Sequence, residues 1–205
     1  MIRRKWIHAL LGVAVILFVA APAAAQEAEA AAGHDPEQEM MAKWAEYATP
    51  SEGHERLAKL AGEWDYTMKW WMSPDAQPEE SSGTLSAEMI MDGRYLVENW
   101  EGTAMGQPFK GHAISGYDNF NKEYFSTWID NMGTGVMVSR GTIDPAQDAL
   151  VTTGTFDDIM TGEKGKTMRG VQKFLDDNTI HFEAYVPGPD GQEFKTMEIH
   201  ATRKP

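Results

Sequence analysis

From Glu63 to the end of the chain, apolar and polar residues alternate with period two, and turn signals break the alternation at short intervals. Trp64, Tyr66, Met68 and Trp70 alternate with Asp65, Thr67 and Lys69. Asp92-Gly93, Asp118-Asn119, Asp144-Pro145, Gly162 to Gly165, Asp176-Asp177-Asn178 and Gly188-Pro189-Asp190-Gly191 supply the breaks. Evenly spaced short strands of this kind describe an all-β sandwich or barrel. The runs between breaks predict about ten strands, at 63–72, 83–91, 94–101, 109–117, 123–130, 135–141, 149–156, 167–175, 178–186 and 193–203. Nothing of crossover length separates them, so sequential neighbours should pair antiparallel. An open meander of ten strands would leave two bare edges, whereas an up-and-down barrel leaves none. The barrel is therefore the expected fold, with a two-sheet sandwich as the alternative.

The preceding segment has a different texture. Arg3, Arg4 and Lys5 lead into an apolar run, and Ala23-Ala24-Ala25 supplies small residues before Gln26. That order describes a secretory signal peptide cleaved after Ala25, with a membrane anchor as the competing reading. The expected location is therefore periplasmic or secreted, away from the membrane after cleavage. Residues 26–34 read as a flexible lead, 35–61 as helical and 62–205 as the barrel domain. Asp35-Pro36 opens one helix, carrying Met40, Met41, Trp44 and Tyr47 as an apolar stripe. Thr49-Pro50-Ser51-Glu52 opens another that Gly62 closes, with Leu57 and Leu60 on its apolar side.

Composition excludes several functions. The 205 residues carry 31 acidic and 18 basic side chains, a net charge of −13. Nucleic acid and anionic lipid both call for the opposite sign. The chain has no cysteine, which removes disulfides, zinc–thiolate sites, iron–sulfur clusters and thiol nucleophiles. His54-Glu55 opens like a zinc-protease helix, but Ala58 stands where the second histidine belongs. Ser115 and Ser139 lack the glycines of a nucleophile elbow, and no phosphate-binding glycine loop or calcium loop is complete. Beyond residue 25 the histidines His34, His54, His112, His181 and His200 are scattered, so spacing along the chain defines no metal site.

Aromatic residues carry the remaining signal. Tryptophans and tyrosines crowd the strands, as they would in a barrel core or in a ligand cavity, which is mostly apolar with a few polar groups. Charged residues share strand faces with them: Arg94 and Glu98 with Trp100, and Asp130 with Trp128. Trp70, Arg94, Glu98, Trp100, His112, Trp128 and Asp130 are the candidate ligand-binding residues, with no catalytic or metal-ligating residue assigned.

Four strings add a resemblance. His54-x-x-Leu57-x-x-Leu60-x-Gly62-x-Trp64, Asp92-Gly93-Arg94-Tyr95-Leu96, Gly116-Tyr117-Asp118-Asn119 and Trp128-Ile129-Asp130-Asn131-Met132-Gly133-Thr134 occur in that order. Together they resemble the bacterial family catalogued as domain of unknown function 1579, over about His54 to Arg203. That family is similar to the calycin barrels, among them lipocalins, fatty-acid-binding proteins and the haem-binding nitrobindins. The resemblance implies a barrel and brings no catalytic residue. Nitrobindins ligate haem through a histidine near the chain end, which singles out His200. No motif around His200 supports that role, so no cofactor is expected.

The sequence thus points to an exported barrel that binds a small apolar or amphipathic molecule. An enzyme using the barrel as a reaction chamber around Arg94, Glu98, His112 and Asp130 is one alternative. A non-catalytic envelope or stress protein is another.

Overall fold

The structure, a computed structural model, describes residues 35–205. The proposed signal peptide and flexible lead lie outside the described residues. The chain divides into one unit ending at Lys43 and a second, Trp44–Pro205, that holds the barrel.

Helix α1 spans Pro36–Ala48 and α2 spans Glu52–Ala58. Asp35 caps the first, its carboxylate accepting the Glu37 N–H at 3.0 Å. The stripe expected on α1 is present, but the helix buries none of its residues, and Met40, Met41, Trp44 and Tyr47 are all exposed. No helix among the described residues is long and apolar enough to cross a membrane.

Ten strands follow: β1 Gly62–Trp70, β2 Glu79–Ile90, β3 Tyr95–Ala104, β4 Gln107–Asp118, β5 Glu123–Asp130, β6 Met137–Asp144, β7 Ala149–Phe156, β8 Lys166–Asp176, β9 Thr179–Pro187 and β10 Glu193–Arg203. Each pairs antiparallel with the next, and β10 returns to pair with β1, which closes the barrel. The all-β barrel expected from alternation and turns is the fold, and the sandwich is not.

The hairpin expected at Asp92-Gly93 joins β2 and β3, but its centre differs. Ile90 pairs with Tyr95, leaving a loop over 91–94 rather than a two-residue turn. Met91, Asp92 and Gly93 all take positive φ, at 50°, 56° and 82°, and the Arg94 N–H bonds back to Ile90 O. Glycine and aspartate tolerate that region far better than branched residues do, which is why the pair marks the turn.

Directly opposed residues of an antiparallel pair share a face. The register therefore traces the inner wall: Ala87, Glu98, Ala113, Trp128 and Met137 stand side by side across β2 to β6. The two ends differ. At the α2 end the hairpin loops 91–94, 119–122, 145–148 and 177–178 are tight. The opposite end carries the longer connections 71–78, 131–136, 157–165 and 188–192.

Helix α2 packs against β2, β3 and β4. Its Leu57, with Leu60, joins Trp64, Tyr66, Leu85, Leu96 and Tyr124 in the buried core. Ser51 is the N-cap, and His54 occupies the position of the capping-box glutamate, its Nδ1 accepting the Ser51 N–H at 3.0 Å. Burial, with the nearby Arg94 charge, lowers the His54 pKa and keeps that acceptor nitrogen unprotonated. Arg203 closes the other end of α2, donating to Ala61 O and Lys59 O at 2.6 Å each while lying over the Trp64 ring. Asn119 binds the backbone carbonyls of Tyr47 and Thr49 and accepts from Ser51 Oγ. One end of the barrel is thereby plugged.

Candidate functional site

Five of the seven residues singled out in the sequence share the inner wall. Glu98, Trp100, Trp128 and Asp130 stand on β3 and β5, and Trp70 ends β1 near the open mouth. The other two fall elsewhere. Arg94 belongs to the 91–94 loop at the plugged end, where its guanidinium donates to Met91 O at 3.1 Å and faces Asp92. His112 points to the outer wall, its Nδ1 2.9 Å from Asn99 Oδ1. Neither lines the barrel interior with Glu98, so the proposed grouping of Arg94, Glu98, His112 and Asp130 is not assembled.

Glycines decide where the aromatic rings sit. A Cβ on Gly111 would lie 2.4 Å from the Trp128 ring, and one on Gly102 would lie 2.5 Å from the Tyr66 hydroxyl. Absent side chains on β3 and β4 thus make room for large ones across the interior. Trp128 stacks on Phe109 and meets Trp100 edge-on at 6.1 Å, and Trp100 tilts against Tyr66 at 5.0 Å. Asp130 fixes the Trp128 ring: its Oδ2 accepts the indole N–H at 2.8 Å while Oδ1 accepts the Met132 N–H. The aspartate acts here as a positioning group for the indole.

Glu98 stands on the same inner wall, between Ala87 and Ala113, and is partly buried. Ser115 Oγ donates to its Oε2 at 3.4 Å and lies 3.1 Å from Ser126 Oγ. That one long hydrogen bond does little to offset the loss of water, and desolvation raises the Glu98 pKa to about 7. Period two could have found Ser115 and Ser126, which stand opposite each other and beside Leu96.

The interior is filled unevenly. At the α2 end Trp64, Tyr66, Leu85 and Leu96 are almost inaccessible. Farther along, the inward residues Trp100, Trp128, Met137, Ser139, Met168 and Met197 remain only partly buried. Inward side chains of a closed barrel stay accessible only where space remains between them. Two polar atoms turned inward, Trp100 Nε1 and Ser81 Oγ, are buried without a hydrogen-bond partner among the described residues. Most buried polar groups have one.

His200, the residue singled out by the nitrobindin comparison, faces the outer wall, opposite Thr67 on β1 and His181 on β9. From there it cannot ligate a group held inside the barrel.

The family described as "Protein of unknown function (DUF1579)" matches residues 49–203. No curated protein matches the chain. Among solved structures, the chain is similar to Rv2717c from M. tuberculosis, at 12% identity and a TM-score of 0.58, covering 77% of this chain and 100% of that one. A likeness at that identity concerns the fold alone. A conserved protein of unknown function with a hot dog fold from Alicyclobacillus acidocaldarius reaches a TM-score of only 0.21 at 10% identity, over 78% of this chain and 90% of that one. The barrel itself is given by this chain's own strand pairing.

Proposed function

Starting from a chain that belongs to the DUF1579 family, whose description assigns no activity, we propose that the barrel binds one small apolar or amphipathic molecule in its interior. The observation that carries this reading is the uneven filling: solid packing under α2, and accessible aromatic and methionine side chains beyond it. Such a lining suits an apolar body, while the unpartnered Trp100 N–H and the Ser115–Ser126 pair suit one hydrogen-bonding head group. Exposed Met72, Met105, Met132, Val136, Ile159 and Met160 lie on the loops of the open end, an apolar approach to the interior.

A dansyl-labelled undecanoic acid is the test probe. Its emission is expected to rise and saturate at about one probe per chain, and Trp128→Ala should weaken binding at least fivefold. Affinity should also fall as pH rises through about 7, because ionised Glu98 would repel the probe's carboxylate. No saturable binding at any pH would refute the reading. The same carboxyl, with a pKa near neutrality, favours acid–base chemistry as a second reading. In that case Glu98→Gln would abolish turnover of a bound substrate while leaving its affinity intact.

We also propose that the protein is exported, on the basis of Arg3-Arg4-Lys5, the apolar run and Ala23-Ala24-Ala25. N-terminal sequencing of protein from a native exporting host is expected to begin at Gln26. A chain recovered from the membrane fraction with Met1 still attached would overturn this.

A further inference from the structure

On the outer wall, away from the proposed ligand space, β9 and β10 bring together two histidines and a glutamate. His181 and His200 are direct partners in the register, their rings stacked at 4.3 Å and 22°. Glu198 stands two residues before His200 on the same face. Its Oε1 lies 3.3 Å from His200 Nε2, while its Oε2 accepts from the Lys195 ammonium. The carboxylate is thus divided, one oxygen held by a cation and the other turned to the His200 imidazole. His181 Nε2 is buried and has no hydrogen-bond partner among the described residues. An imidazole nitrogen in that position lacks the pairing that buried polar atoms normally have.

We propose that His181, His200 and Glu198 form a binding site for one divalent transition-metal ion, zinc being the representative. One ligand atom from each lies within 4.8 Å of the other two. Zinc–nitrogen bonds of about 2.0–2.1 Å place tetrahedral ligands about 3.3 Å apart, so small side-chain rotations close the set. Two imidazoles and a carboxylate suit zinc, copper or nickel rather than calcium or magnesium, which prefer all-oxygen shells. Three protein ligands leave a fourth position open. Beside His200 lies an open groove of ≈ 440 Å³, lined also by Asp65, Thr67, Ser82, Thr84 and Thr202, from which water or a small anion can reach it. Lys195 supports the site from behind by orienting Glu198, and Glu183 shares that lysine.

Tag-free protein titrated with zinc in competition with a chromophoric chelator is the test. One zinc per chain is expected, with His181→Ala and His200→Ala each weakening it at least tenfold and Glu198→Gln weakening it less. Cobalt, added in place of zinc, should give the visible absorption of a four-coordinate ion, lost in His181→Ala. Both substitutions lie on the outer wall, so far-UV circular dichroism and melting confirm that the variants are folded. Zinc binding that survives both histidine substitutions in folded protein, or the absence of one-to-one binding at micromolar zinc, would overturn the proposal. Neither result bears on ligand binding in the interior.

Discussion

Replacing Trp64 with alanine is expected to lower stability by about 3–5 kcal/mol, the usual range for emptying a buried aromatic site. Trp64 is fully inaccessible, its indole N–H donates to Leu60 O at 2.9 Å, and Arg203 lies over its ring at 4.1 Å. The substitution opens a cavity beneath α2, leaves the Leu60 carbonyl without its donor and loosens the arginine that caps the helix. Urea denaturation should show a large drop in midpoint with an unchanged slope. A loss below about 1 kcal/mol would mean that the end under α2 is not packed as described. Trp64→Phe helps separate the terms, since it keeps most of the volume but loses the hydrogen bond.

The second large effect depends on pH. Burial raises the Glu98 pKa from an ordinary 4.5 to about 7 in the folded state. Below pH 4.5 the group is protonated in folded and unfolded chains alike and contributes nothing to the difference. Between 4.5 and 7 the folded state holds a proton that the unfolded state has released, so stability falls as pH rises. Well above 7 the loss is complete, at about 3 kcal/mol for a shift of this size. Glu98→Gln removes the charge and keeps the shape. The variant should match the wild type near pH 4 and exceed it by about 3 kcal/mol at pH 8.5. Measuring both proteins across that range isolates Glu98 from every other titrating group. Two parallel curves would show that water from the open end solvates the carboxylate in full.

The ten strands were legible because alternation and turn residues act locally, before any tertiary contact forms. The errors occur where a distant neighbour decides. β2 begins at Glu79, four residues before the expected start at 83; pairing with β1 makes that stretch strand, and Gly83 faces Tyr66 because the tyrosine hydroxyl needs the room. The face of β4 was unreadable for a similar reason. Gly111, Ala113 and Ser115 point inward and Ile114 outward, the reverse of a simple hydrophobic rule. The bulk at that level comes from Trp100 and Trp128 on neighbouring strands, and His112 is left outside as a result. Arg94 reads as strand because Asp92-Gly93 marks the turn centre in the sequence, whereas the left-handed stretch already begins at Met91. The opposition of His181 and His200 depends on strand register, which spacing along the chain does not contain.

Closure through β1 and β10 has a consequence for how the chain must be made. Trp64 pairs with Arg203, so the first strand waits for the last before its second edge is satisfied. Every other pairing is a local hairpin that can form early and independently. The slow step should therefore be the joining of the two ends, a contact of very high sequence separation. Until it occurs, β1 and the newest strand present bare hydrogen-bonding edges to any neighbouring chain. Synthesis from the N-terminus cannot shorten that interval, because β10 emerges last. A nascent molecule of this protein is at greatest risk of aggregation until β10 has emerged and paired with β1.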